Sequence, residues 1–166
     1  LPRQAQTRLH WALKMSDAKP IWQRRWTTAE LAELTRGTLV DHLGIEFVEV
    51  GPDALRASMT VRAQTAQRLG YLHGGASLAL AETVGSLASQ MCIDREQYAS
   101  VGLDINANHV RAVEKGQSVF ATARPHHLGR QNHIWEIRIE TGEGKLVCVA
   151  RLTTSIQPLA RLAAKH

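Results

Sequence analysis

Residues 67–91, QRLGYLHGGASLALAETVGSLASQM, constrain this chain more than any other stretch. A polar lead-in at Gln67 and Arg68 meets His73-Gly74-Gly75, and an Ala- and Leu-rich run follows. Alanine and leucine are the strongest helix formers, and no proline occurs between 63 and 124. The apolar positions Ala76, Leu78, Ala79, Leu80, Ala81, Val84, Leu87, Ala88 and Met91 cover nearly the whole circumference, which predicts a helix buried on most sides. Its Ser, Thr, Glu and Gly residues argue against a membrane span.

Glu82 is the anomaly in that helix. An ionised carboxylate in apolar surroundings is costly unless a polar partner meets it. It is either a structural carboxylate, paired with a buried arginine or set on an exposed edge, or a reacting group. Ser86 and Ser89 follow it by four and seven residues, so a narrow polar seam is expected to line a pocket. The paired glycines before the helix allow close backbone approach, and a helix N-terminus presents unpaired N–H donors suited to an anion or developing oxyanion. A tight turn with no ligand is the plainer alternative. Gly74 and Glu82 lie about 12 Å apart along a helix axis, too far to serve one carbonyl. If both act, an isologous dimer with two composite sites is the simplest arrangement, Glu82 of one chain facing His73, Gly74 and Gln67 of the other.

The flanking sequence reads as α+β. Thr27 or Thr28 with Glu30 opens a short helix to about Arg36, and 39–43 adds a further turn. Residues 45–50 and 54–62 form a hairpin across Gly51-Pro52-Asp53. After the long helix, four strands are expected at roughly 98–112, 117–126, 131–141 and 145–157. The result is an antiparallel sheet of about six strands curled around one central helix, a single domain over 15–166. Residues 1–14 lack this periodicity and are expected to be a disordered or artificially appended extension, Met15 reading as a natural start.

LHGGAS (72–77), LAETVGS (80–86), VGLDINANHVR (101–111), HLGR (127–130) and RLTTSI (151–156) together resemble hotdog-fold acyl-CoA thioesterases of the phenylacetate-pathway type. They are especially similar to the branch that hydrolyses 1,4-dihydroxy-2-naphthoyl-CoA, and the resemblance covers about 21–157. It implies a hotdog fold, hydrolysis of an aromatic acyl-CoA (1,4-dihydroxy-2-naphthoyl or benzoyl type), and a place in menaquinone or aromatic-acid metabolism. The implied assembly is a homodimer with shared sites, doubled into a homotetramer. Glu82 would be base or nucleophile, and Gly74 of the partner chain would donate its N–H to the thioester oxygen. His73 would orient the carbonyl or the glycine turn, Gln67 would place water or the leaving group, and Ser86 would touch substrate or water. Gly102 and His109 belong to the block that meets the acyl group; the resemblance sets Val110 and Arg111 beside CoA. His127, Leu128, Gly129 and Arg130 lie in the loop that would hold its pantetheine and nucleotide end, Arg130 pairing with a phosphate. One departure sits there: the branch often carries Ser-Arg where this chain has Arg130-Gln131.

Composition narrows the alternatives. Of the +5 net charge, residues 1–14 supply Arg3, Arg8 and Lys14 with no acid, so the rest is only weakly basic, which is poor support for nucleic-acid binding. Cys92 and Cys148 have neither disulfide-framework nor zinc spacing, and no signal pattern precedes them, so a cytoplasmic location is expected. No GxSxG, HExxH or Walker motif occurs. The His126–His127 pair is expected to have no nearby Cys or carboxylate to complete a metal site, so neither metal nor cofactor is expected, CoA being part of the substrate. Two rivals remain: a hotdog dehydratase or hydratase, and a non-catalytic acyl-CoA-binding module.

Overall fold

A computed structural model describes residues 19–163. The extension expected at 1–14 lies outside the described residues. Two short helices lead in. In α1 (Thr28–Leu34), Thr27 Oγ1 accepts the Glu30 N–H at 3.2 Å while Glu30 accepts the Thr27 N–H at 2.8 Å, a reciprocal cap written in the sequence. Thr38 caps α2 (Leu39–Leu43), which ends at Gly44 with a left-handed φ of 65°. Strands β1 (Ile45–Val50) and β2 (Leu55–Thr60) form the expected hairpin, whose turn is held by Arg124 Nη1 donating to both Asp53 oxygens at 2.6 Å.

The long helix α3 (Gly74–Met91) then carries the chain across the molecule to β3 (Tyr98–His109). Strands β4 (Ser118–Leu128), β5 (Asn132–Thr141) and β6 (Leu146–Pro158) fill the space between, and α4 (Leu159–Ala163) closes the described chain. The six strands make one antiparallel sheet in the order β1-β2-β4-β5-β6-β3. Alternation decides which side chains meet the helix. Ala57 and Met59, Val119 and Ala121, Trp135, Ile137 and Ile139, and Cys148, Ala150 and Leu152 are all essentially fully buried. Gly85 lets the helix approach: a Cβ there would lie 2.6 Å from Leu152 Cδ2. Trp22 seals the end of the core, stacking on Trp135 with ring centroids 6.5 Å apart.

Helix α3 is less enclosed than its composition suggests. It buries one broad face through Ser77, Leu80, Ala81, Val84, Gly85, Ala88 and Met91, while Leu78, Ala79 and Leu87 stay only partly covered. The sheet covers a single side of the cylinder, so the apolar residues on the other side are only partly covered.

Candidate active site

β3 occupies a sheet edge, hydrogen-bonded to β6 on one side. Asn106, Asn108 and His109 are exposed there, which explains polar residues in a strand. Val101 and Leu103 are also exposed, Leu103 at 65%. The register against β6 slips between Gly102 and Asp104, so one extra residue enters the strand. In a regular strand Gly102 and His109 would point to opposite faces, being an odd number of residues apart. The bulge restores them to one face, and both turn toward α3.

Each then meets a different part of the helix. A Cβ on Gly102 would lie 2.6 Å from Glu82 Oε1, so only glycine leaves room for the carboxylate. Ser86 Oγ donates to Glu82 Oε1 at 2.9 Å, one turn along. Glu82 is half-buried, opening toward the strand edge instead of being sealed in apolar packing. At the far end of β3, His109 Nε2 lies 3.2 Å from where a Gly74 Cβ would stand. His73 is the N-cap of α3, and its Nδ1 accepts the Gly75 N–H at 2.9 Å, so the neutral ring carries its proton on Nε2. Ala76 and Ser77 donate to His73 O at 3.0 and 3.1 Å. The Gly74 N–H has no acceptor among the described residues: an unspent donor at a helix N-terminus.

The other predicted positions fall into two further groups. Gln67 belongs to the loop before the helix: its N–H donates to Tyr71 O at 2.8 Å, and its Oε1 accepts the Leu69 N–H. Val110 and Arg111 leave the end of β3 exposed, with Val110 N–H on Val147 O at 2.9 Å and Arg111 Nε on Leu146 O at 3.1 Å. His127 and Leu128 end β4, and Gly129 and Arg130 form the tight turn into β5, where Gly129 N–H donates to Asn132 O at 2.9 Å. A Cβ on Gly129 would sit 3.0 Å from that same carbonyl. The chain therefore joins Glu82, Ser86 and Gly102 in one place and His73, Gly74 and His109 in another.

Two expectations need correction. Ser89 does not continue a pocket-lining seam. It is fully buried, with Oγ at 2.8 Å from both His133 Nδ1 and Thr154 Oγ1, and it accepts from Ser100 Oγ at 2.7 Å. The seam closes there because β3 lies over the helix at Ser100, whose hydroxyl donates to Ser89. His126 does have a carboxylate near it: β4–β5 pairing brings Glu136 Oε2 to 3.4 Å from its Nε2. Motif and spacing alone do not single out His133. It nonetheless shares inward parity with Trp135, Ile137 and Ile139, a signal visible in the alternation. Burial, then the neighbouring charge of His127, holds its pKa below the ordinary 6.5, against an opposing interaction with the Gly129 backbone. Burial pushes the Cys92 thiol up to about 12 and raises that of Cys148.

The Thioesterase superfamily profile matches residues 69–148, which span both glycine contacts and the capped helix. The 1,4-dihydroxy-2-naphthoyl-CoA hydrolase of Escherichia coli is 45% identical over 82% of this chain and 98% of its own. The chain belongs to the thioesterase superfamily. The proofreading thioesterase EntH of Cronobacter turicensis is 47% identical over 82% of this chain and 98% of its own. A crystal structure of a variant of thioesterase PA1618 from Pseudomonas aeruginosa superposes with a TM-score of 0.81 at 43% identity, over 83% of this chain and 99% of that one. The sheet wrapped on α3 is the hotdog fold of this superfamily, and the protein is a thioester hydrolase. No described helix is long and apolar enough to cross a membrane.

Proposed function

We propose that the protein hydrolyses aromatic acyl-CoA thioesters in two composite sites of a homodimer, with Glu82 of one chain and the Gly74 N–H of the other acting on one carbonyl. The observation that carries this is the pair of contacts on β3, Gly102 against Glu82 and His109 against Gly74. A two-fold axis near Ile105 and Asn106 pairs this edge antiparallel with its copy. Gly102 of one chain then stands beside His109 of the other, with neighbouring strands about 5 Å apart. Glu82 is carried to the partner's helix N-terminus, spanning the about 12 Å that separates them along a single helix. The same pairing covers the exposed Leu103 and satisfies the open strand edge.

In that site the carboxylate works on the thioester carbonyl carbon. As a base it takes a proton from water while the hydroxide adds to carbon; as a nucleophile it adds directly and water later cleaves the anhydride. Either route puts negative charge on the carbonyl oxygen, where the unspent Gly74 N–H donates. Collapse breaks the C–S bond, and the CoA thiolate leaves. Ser86 keeps one carboxylate oxygen aimed. His73 and Gln67 border the same carbonyl, and His109 borders the acyl group. Val110, Arg111 and the 127–130 turn receive the CoA arm. The aromatic acyl class is supported by the named activity of the Escherichia coli relative, and a metabolic role in the cytoplasm, with pairing of dimers into tetramers, belongs to the same proposal.

The test is free-thiol release from a panel of aromatic and aliphatic acyl-CoAs, run beside Glu82→Gln. The expected result is preference for benzoyl-type substrates and a loss in the variant of about 10²–10⁴-fold in kcat at unchanged Tm. Equal turnover by the variant would remove Glu82 from the chemistry, and preference for long aliphatic chains would remove the aromatic assignment.

A further inference from the structure

The hydroxyls around Ser89 form a closed set whose proton count can be worked out. Ser89 Oγ has three neighbours at 2.7–2.8 Å: Ser100 Oγ, Thr154 Oγ1 and His133 Nδ1. A serine hydroxyl donates once and accepts twice. Ser100 donates to it. If Ser89 gives its proton to His133 Nδ1, Thr154 donates back and every group is used. His133 is then neutral, with its proton on Nε2. The Gly129 backbone interacts with the ring in the sense that favours the charged form, the sign of a carbonyl facing a ring N–H. Nδ1 is thus held from helix α3, while the backbone of His133 pairs with Leu128 at the mouth of the β4–β5 turn.

His133 is 4% exposed, opposite Thr154 in the β5–β6 register and opposite Leu128 in the β4–β5 register. Its edge packs on Trp135 with centroids 6.5 Å apart. Outside the strand pairing that holds its two ends, the turn is anchored by Gly129 N–H on Asn132 O at 2.9 Å and Ile156 N–H on Gln131 O at 2.8 Å. That turn carries Gly129 and Arg130, with His127 at the end of β4 beside it.

We propose that His133 is a positioning residue for the coenzyme arm of the substrate, tying the 127–132 turn to helix α3 through Ser89. This rests on the assignment of that turn to CoA, and it adds a buried residue that touches no substrate. Its effect is confined to substrates long enough to reach the turn. Benzoyl-CoA reaches it; S-benzoyl-N-acetylcysteamine, with the same acyl group and thioester, ends before the nucleotide.

The experiment measures kcat/KM on both thioesters and reads their ratio. His133→Ala lowers the ratio by about tenfold, chiefly through KM for benzoyl-CoA, the size of effect expected when one buried hydrogen-bond partner is lost. His133→Gln, which can both accept and donate, restores most of it. Ser89→Ala keeps the helix packing and removes the ring's partner, so it carries the same comparison if His133→Ala does not fold. Losses equal on the two substrates would mean a merely structural histidine and overturn the proposal, as would an unchanged ratio. Arg130→Ala separates the two levels. A fall in its ratio with none in the His133 and Ser89 variants overturns the positioning role alone. No fall in any of them overturns the assignment of the turn to CoA, and the role of His133 with it.

Discussion

Glu82 and Ser89 stand two turns apart on nearly the same face of α3, and their surroundings are opposites. Around Ser89 the hydroxyls of Ser89, Ser100 and Thr154 and the His133 Nδ1 satisfy one another, and β3 lies over the top. Around Glu82 the one hydrogen-bond donor among the described residues is Ser86, on one oxygen, and Gly102 leaves room for the carboxylate. A self-satisfied polar cluster stabilises a fold; an under-satisfied carboxylate beside a strand edge waits for something else. Under the proposed function one helix face does structural work at one end and chemistry at the other, and the bulge at Gly102–Asp104 marks the border.

Gly102→Ala breaks the comparison most directly. Its Cβ would press on Glu82 Oε1 from 2.6 Å. The carboxylate must move, and a displacement near 1 Å costs up to about 10²-fold in kcat. Only the end of the flexible Glu82 side chain has to yield, so melting should barely change. Full activity in Gly102→Ala would show that the oxygen beside this glycine is not the one that reacts.

The two serines sharpen the contrast. Ser89→Ala leaves His133 Nδ1, Thr154 and Ser100 short of a partner in a dry place, at a cost of about 1–3 kcal/mol. In a domain of this size Tm falls by about 2–4 °C for each kcal/mol. Ser86→Ala removes one hydrogen bond from a half-open site, so kcat falls while Tm moves little. Thermal melts and steady-state rates on the same pair of variants decide it; a swap of the two signatures would mean that the structural and chemical ends have been reversed.

This contrast is only half legible in the sequence. Strand and helix positions follow from alternation, turn residues and the Thr27–Glu30 cap, because those signals are local. Glu82 and Gly74 stand out because a carboxylate in an Ala-Leu helix and a paired glycine before it break local pattern. The bulge does not show: 98–109 alternates poorly, and which residue is extra depends on β6 across the pair. The Ser89 cluster is hidden for the same reason. Its members come from α3, β3, β5 and β6, and only the fold assembles them, although the inward parity of His133 is open to view.

The smallest expected effect concerns the protonation of that cluster. Burial and the charge of His127 hold His133 below its ordinary 6.5, and the Gly129 backbone opposes them. Above that value the ring is neutral in both folded and unfolded chains and contributes no pH dependence. As pH falls through 6.5 the unfolded chain takes a proton that the native ring resists, so stability declines with acidification until the native ring also titrates. Wild type should therefore lose more Tm than His133→Gln between about pH 7.5 and 5.5, each measured against its own value at the higher pH. The steeper loss in wild type belongs to a ring whose Nδ1 accepts from Ser89. Were wild type the more acid-resistant of the two, the native ring would be gaining its proton, Nδ1 would be donating to Ser89, and the Ser89 proton would have to pass to Thr154. That arrangement still links the helix to the turn, but as a charged donor on both sides, and the turn's grip on an anionic coenzyme would then tighten in acid instead of staying level.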